Sequence, residues 1–166
     1  MFEDEAGFGR MNKPEYCWCY GNVRPSVPCQ MVREYVYAIG AVDPVDGENY
    51  FIVAPQCNTD WMNEFLRDLS EQYKDDYIIL VCDGASWHKS KTLKVPKNIN
   101  IVHTLPYTPE MNPIEQIWKE LRKMGFKNVM FNKLDKVIDK LCEVIIELSN
   151  DTVKSITGRD WILSMF

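Results

Sequence analysis

The chain lacks any apolar run approaching the length of a membrane span, and it opens on no basic-plus-apolar leader. Neither a membrane helix nor a secretory signal is expected. It has no internal repeat, no low-complexity tract and no linker rich in Gly, Ser or Pro, so one continuous domain over residues 1–166 is the natural reading. The six cysteines, Cys17, Cys19, Cys29, Cys57, Cys82 and Cys142, form no CxxC pair, and a domain of this size does not need disulfides. With His88 and His103 the only histidines, a structural zinc site is not the expected use of these residues. Excess basic charge is also missing. The net charge is −5, whereas a protein that grips duplex DNA unaided is usually basic, because neutralising phosphates supplies most of the affinity. That balance argues against a self-sufficient DNA binder. It leaves room for a catalytic domain whose hold on DNA comes from another segment or from metal ions.

What is present is enough apolar material for a substantial core: 46% of the 166 residues are hydrophobic and 12% aromatic. A soluble, cytoplasmic protein is expected. Cys82 and Cys142 lie inside apolar patterns and read as buried, reduced thiols. Cys17 and Cys19 alternate along a strand-like stretch, Tyr16 to Tyr20, and would share one face.

Further along, Glu34 to Val42 is rich in β-branched and aromatic residues. Asp43-Pro44-Val45-Asp46-Gly47 is strong turn chemistry, and Asn49 to Ala54 returns as the partner strand of a hairpin. Asn58 or Thr59 caps a helix running to about Tyr73, with Trp61, Phe65, Leu66 and Leu69 on its apolar stripe. Tyr77 to Cys82 is nearly all apolar, as for a central strand buried on both faces. A short helical piece is expected over 89–93 and a strand over 99–105. Asn112-Pro113 suits the start of the next helix, and 133–148 carries the apolar spacing of a long amphipathic one. The tail, with Trp161, Ile162 and Phe166, is expected to pack back. Strands first, then alternating helix and strand, then helices make a mixed α/β class. Met1-Phe2-Glu3-Asp4 begins almost on an acidic motif, so the first strand looks cut short and a missing upstream segment is expected.

Three acids stand in marked settings: Asp4 in Phe2-Glu3-Asp4-Glu5, Asp83 after a buried apolar strand and before Gly84, and Glu115 in Asn112-Pro113-Ile114-Glu115. Each has a plainer reading. Residues 3–5 can be a solvated charge run, Asp83 a turn residue that stops a strand, and Glu115 the third-position glutamate that bonds back to its helix cap. The combination is more telling. Ligand sites in open α/β sheets lie beyond strand carboxyl ends. Carboxylates brought there from separate elements supply the hard oxygen donors that divalent ions need for phosphate chemistry.

On these residues the chain resembles a known family. FEDEAGFG, VCDGASWHKS and LPYTPEMNPIEQIW are similar to the three catalytic blocks of the DDE domain of IS630/Tc1/mariner-type transposases, and NVRP with YVYAIGAVDPVDGE resembles the bacterial IS630 branch. The likeness covers nearly the whole chain. The 31 residues between Asp83 and Glu115 are close to the family's short second interval. The resemblance implies an RNase H-like α/β fold, a central five-stranded mixed sheet flanked by helices. Asp4 would sit on the first strand, Asp83 after the fourth and Glu115 on the helix after the fifth. It implies that these three acids hold two Mg²⁺ (or Mn²⁺) ions, cut DNA at transposon ends and pass the freed 3′-hydroxyl to target DNA at a TA dinucleotide. It also implies a homodimer on paired ends, associated with the bacterial nucleoid when acting. Family members usually carry helix-turn-helix domains upstream, and none fits before Met1. They also often have a second proline in the block matched by Leu105-Pro106-Tyr107.

Around the triad, His88 is a candidate to orient the Asp83 loop or touch a phosphate, or is simply a satisfied structural histidine. Glu5 is a candidate for support behind the triad. Lys89 and Lys91, and the later Lys119, Arg122, Lys123 and Lys127, are candidate phosphate contacts or a solvated helix face. Trp118 is expected to pack under its helix, and Trp87 to pack in its loop or stack on a base. Two other classes compete with an active transposase domain: a catalytically idle interaction subunit, and another nuclease of RNase H fold.

Overall fold

The computed structural model describes residues 1–105 and 108–164. Pro106 and Tyr107 of the Leu105-Pro106-Tyr107 block, and Met165 and Phe166 of the tail, lie outside them. Five strands form one mixed sheet in the order β3-β2-β1-β4-β5. They are β1 (Phe2–Gly9), β2 (Tyr35–Val42), β3 (Asn49–Ala54), β4 (Ile78–Cys82) and β5 (Ile99–His103). The first three pair antiparallel, while β4 runs parallel to both β1 and β5. The expected hairpin is β2–β3. At its turn Gly47 has φ +78°, and an added Cβ would run into the backbone of Asn150, so glycine is required on both counts.

Period-two alternation divides the core into two layers. Phe2, Ala6 and Phe8 of β1 and Val36, Ala38 and Val42 of β2 face one side. They pack there against α2 (Ile114–Gly125), α3 (Leu134–Ile146) and α4 (Asn150–Thr157). Ile39, Ala41, Ile78 and Leu80 face the other side, against Met62, Phe65, Leu66 and Leu69 of α1 (Thr59–Gln72). Asn58 caps α1 as expected, its Oδ1 accepting from Trp61 N at 3.0 Å. The tail helix α5 (Asp160–Leu163) buries Ile162 and leaves Trp161 largely exposed.

β1 runs eight residues through the acidic motif, with Asp4 in it. Three expectations are corrected. Tyr16 to Tyr20 is no strand. Residues 10–34 carry no helix or strand, and Tyr16, Trp18 and Tyr20 are almost wholly exposed, although Asn12 bonds to Gln30 and Glu15 to Asn128 nearer the arm's base. The short helical piece is a 3-10 turn at Ser86–Lys89, earlier than 89–93. And β4 is fully covered on one face only: on the other, Ile79 is exposed and Val81 only partly buried against the α2-side core.

Candidate active site

The site forms where β1 and β4 part company. Their parallel ladder is limited to Phe2 opposite Val81, after which β4 ends and the chain turns at Asp83. Asp83 is exposed. Its Oδ1 accepts from Ala85 N at 2.8 Å, so the turn role expected of an aspartate here is realised alongside any other. Asp4 comes from the middle of β1, on the face covered by α2. Glu115 sits in the first turn of α2, which is anchored to β1 by Asn112, whose Nδ2 donates to Glu3 O at 2.9 Å. Among the described residues the Glu115 side chain accepts no hydrogen bond, so the capping role is not used.

These three acids, with Gly84, Lys89 and Thr104, line one open cleft of about 540 Å³. They are set apart rather than clustered. The ligand atoms that do fall within 4.8 Å of one another belong to Glu3, Cys82 and His88, among the described residues. Burial pushes the Asp4 carboxyl up to about 7; a hydrogen bond from Trp118 opposes this, and the charge of Glu115 adds to it. Trp118 is buried, packs edge-on against Phe8 and Phe51, and donates from Nε1 to Asp4 Oδ2 at 2.9 Å. Sequence reasoning placed this ring under its helix but missed the bond. Spacing on α2 shows that the ring points inward, not which polar atom it meets.

The run 3–5 is not a solvated one. Glu3 is fully buried, and burial with the charge of Glu5 drives its carboxyl well above the usual carboxylate range. His88 is buried beside it. Its Nδ1 lies 3.0 Å from Asp83 Oδ1 and 3.2 Å from Asp83 O, and its Nε2 lies 3.2 Å from Glu5 Oε1. Burial disfavours its charge, but bonds to Cys82 and Glu5 and the charges of Glu3 and Glu5 outweigh that and hold it up to about 12. Trp87 donates from Nε1 to Glu5 Oε1 at 2.6 Å, a contact within its own site.

Of the cations, Lys89 alone of those named reaches the cleft, its ammonium lying over Gly84. Lys91 is exposed and does not line it. Lys123 pairs with Glu120 along the helix surface, and Arg122 lies over the Phe8 ring at 4.9 Å and donates to Gly7 O at 3.3 Å.

The sequence model of the family described as DDE superfamily endonuclease matches residues 1–138. The uncharacterized protein y4pE/y4sA of Sinorhizobium fredii is 33% identical over 130 residues, covering 76% of this chain and 96% of that protein. In fold, the chain is similar to the pre-cleavage Mos1 transpososome (TM-score 0.71, 12% identity, 94% of this chain, 51% of that one). The catalytic domain of Mos1 mariner transposase is similar too (TM-score 0.60, 12% identity, 94% and 74%). The chain spans about half the length of the Mos1 transposase chain in the paired-end complex with the left transposon end (50%, TM-score 0.69). At such identities the likeness is one of fold, and that fold is RNase H-like.

Proposed function

The chain belongs to the DDE superfamily endonuclease family, and from that premise we propose that it is the catalytic domain of a metal-dependent DNA transposase. Its chemistry would be phosphodiester hydrolysis at transposon ends followed by attack of the freed 3′-hydroxyl on target DNA. One observation carries the reading: Asp4, Asp83 and Glu115, drawn from β1, the end of β4 and α2, line a single cleft open to a polymer. Only hard carboxylate oxygens face that space among these three acids, a donor set that suits Mg²⁺ or Mn²⁺. Structures similar in fold include Mos1 paired-end complexes with Mn and with Mg. Two such ions, held by the three acids, would activate the attacking oxygen and stabilise the departing one.

The chain's own residues act around that centre. Trp118 fixes the rotamer of Asp4 and favours its charged form. His88 grips Asp83 by its carboxylate and its carbonyl, and Glu5 and Trp87 hold the imidazole from behind. Asn112 ties α2 to β1, which sets where Glu115 stands. Lys89 is placed to meet a phosphate oxygen. A preference for TA targets, a homodimer on paired ends and a separate helix-turn-helix segment belong to the same proposal.

Crystals soaked in Mn²⁺ and measured by anomalous diffraction test it, together with cleavage of transposon-end DNA. Density between Asp4 and Asp83 with Glu115 in reach, and metal-dependent cleavage lost in Asp83→Asn and Glu115→Gln, are the expected results. Bound metal without cleavage in the presence of end DNA would favour the idle interaction subunit. Rapid cutting of RNA–DNA hybrids without end sequence would favour a different RNase H-fold nuclease.

A further inference from the structure

On the opposite face of β1 from Asp4 lies a cluster of quite different chemistry. Glu3, Cys82 and His88 each offer a ligand atom within 4.8 Å of the others, and all three are buried. The Glu3 side chain is fully enclosed and neither of its oxygens has a hydrogen-bond partner. A buried carboxyl left in that state is unsatisfied, and a cation within reach would answer it. His88 is the nearest cationic group, yet its Nε2 stands 3.6 Å from Glu3 and closer to Glu5, and its Nδ1 is taken by Asp83. One imidazole thus faces three acids and bonds to two.

We propose that Glu3, Cys82 and His88 form a structural site for a zinc-class divalent ion, with Glu5 as the fourth donor. A thiolate, an imidazole and carboxylates form the mixed, borderline-soft set that takes Zn²⁺ and is poor for Mg²⁺. Enclosure by the sheet and the 3-10 turn marks it as structural, since no open position faces substrate. His88 already has the bearing of a ligating histidine: its Nδ1 is held by the carbonyl and carboxylate of Asp83, which aims Nε2 into the cluster. Binding releases the Cys82 thiol proton, the His88 Nε2 proton and the Glu3 carboxyl proton to solvent and gives both Glu3 and Glu5 a positive partner. The Cys82 sulfur lies 3.5 Å from His103 Nδ1 and would exchange that contact for the ion. Such an ion would join β1, β4 and the 3-10 turn, the elements that present Asp4 and Asp83, whatever chemistry those acids perform.

The test is metal content and spectrum, not activity. The full chain, purified without chelators from zinc-replete medium, is expected to carry one zinc per molecule by mass spectrometry. Its Co²⁺-exchanged form is expected to show a sulfur-to-cobalt charge-transfer band. Cys82→Ser should abolish that band, and Cys82→Ser or the shape-preserving Glu3→Gln should weaken zinc retention at least about tenfold. Glu115→Gln, in the cleft on the other face, should leave both intact. A folded chain, by circular dichroism, that holds no zinc and gives no such band overturns the proposal. So does a band that survives Cys82→Ser, since that would place the ion on another of the free cysteines.

Discussion

Burial and the neighbouring Glu115 push the Asp4 carboxyl up to about 7, while the Trp118 N–H pulls it back. The sign of the pH dependence follows. Between the ordinary carboxylate value near 3.8 and about 7, the folded chain holds a proton that the unfolded chain has lost. Metal-free stability is therefore fullest below the lower value and declines as pH rises through the upper one, by on the order of a few kcal/mol at most. Metal binding needs the charged form, so Mn²⁺ affinity should fall as pH drops below 7; melting curves with and without Mn²⁺ from pH 5 to 8 check both trends. Trp118→Phe keeps most of the ring packing and removes the one donor. The expected result is a loss of about 10–100-fold in metal affinity or cleavage, with the pH dependence moved upward and stability changed by only about 1 kcal/mol. A drop in stability without any change in metal response would assign the ring a packing role alone.

Gly40 of β2 stands directly opposite Asp4 of β1 in the sheet, and the Trp118 ring reaches Asp4 across that gap. An added Cβ at 40 would meet the Phe51 ring and come 3.0 Å from Trp118 Cη2. Gly40→Ala should therefore cost about 1–3 kcal/mol through overpacking. It should also displace the indole from Asp4, so metal affinity falls with stability, as parallel denaturation and Mn²⁺ titration would reveal. The hairpin, α1 and its Asn58 cap were legible in the sequence because turn chemistry and helical period are local signals. The 3-10 turn at Ser86–Lys89 was not. It is held by His88 bonding to Asp83 and Glu5, and Glu5 lies 83 residues away in the chain.

At the scale of the whole molecule, acidity and the proposed substrate are in tension. With a net charge of −5 and carboxylates lining the cleft, the chain alone should bind duplex DNA weakly. What affinity it has should rise with Mg²⁺ and vanish with chelator; fluorescence anisotropy against salt and Mg²⁺ measures this. Tight, Mg²⁺-independent binding would mean that a basic surface supplies the hold, with the exposed arm at 10–34 the first place to look.

By itself the sequence determined the hairpin, the main helices, the mixed α/β class and the choice of three candidate acids, since periodicity, turn residues and motif spacing are written in consecutive positions. Tertiary structure alone decided three things. It made Glu3 a buried residue rather than part of a solvated run, because His88 and α1 cover that face of β1. It gave Asp4 a tryptophan donor from a helix more than a hundred positions on. And it left Ile79 of β4 exposed, because the helices of the α2 side pack chiefly over β1–β3. Each depends on which distant element lands on which face, and a run of residue types carries no record of that.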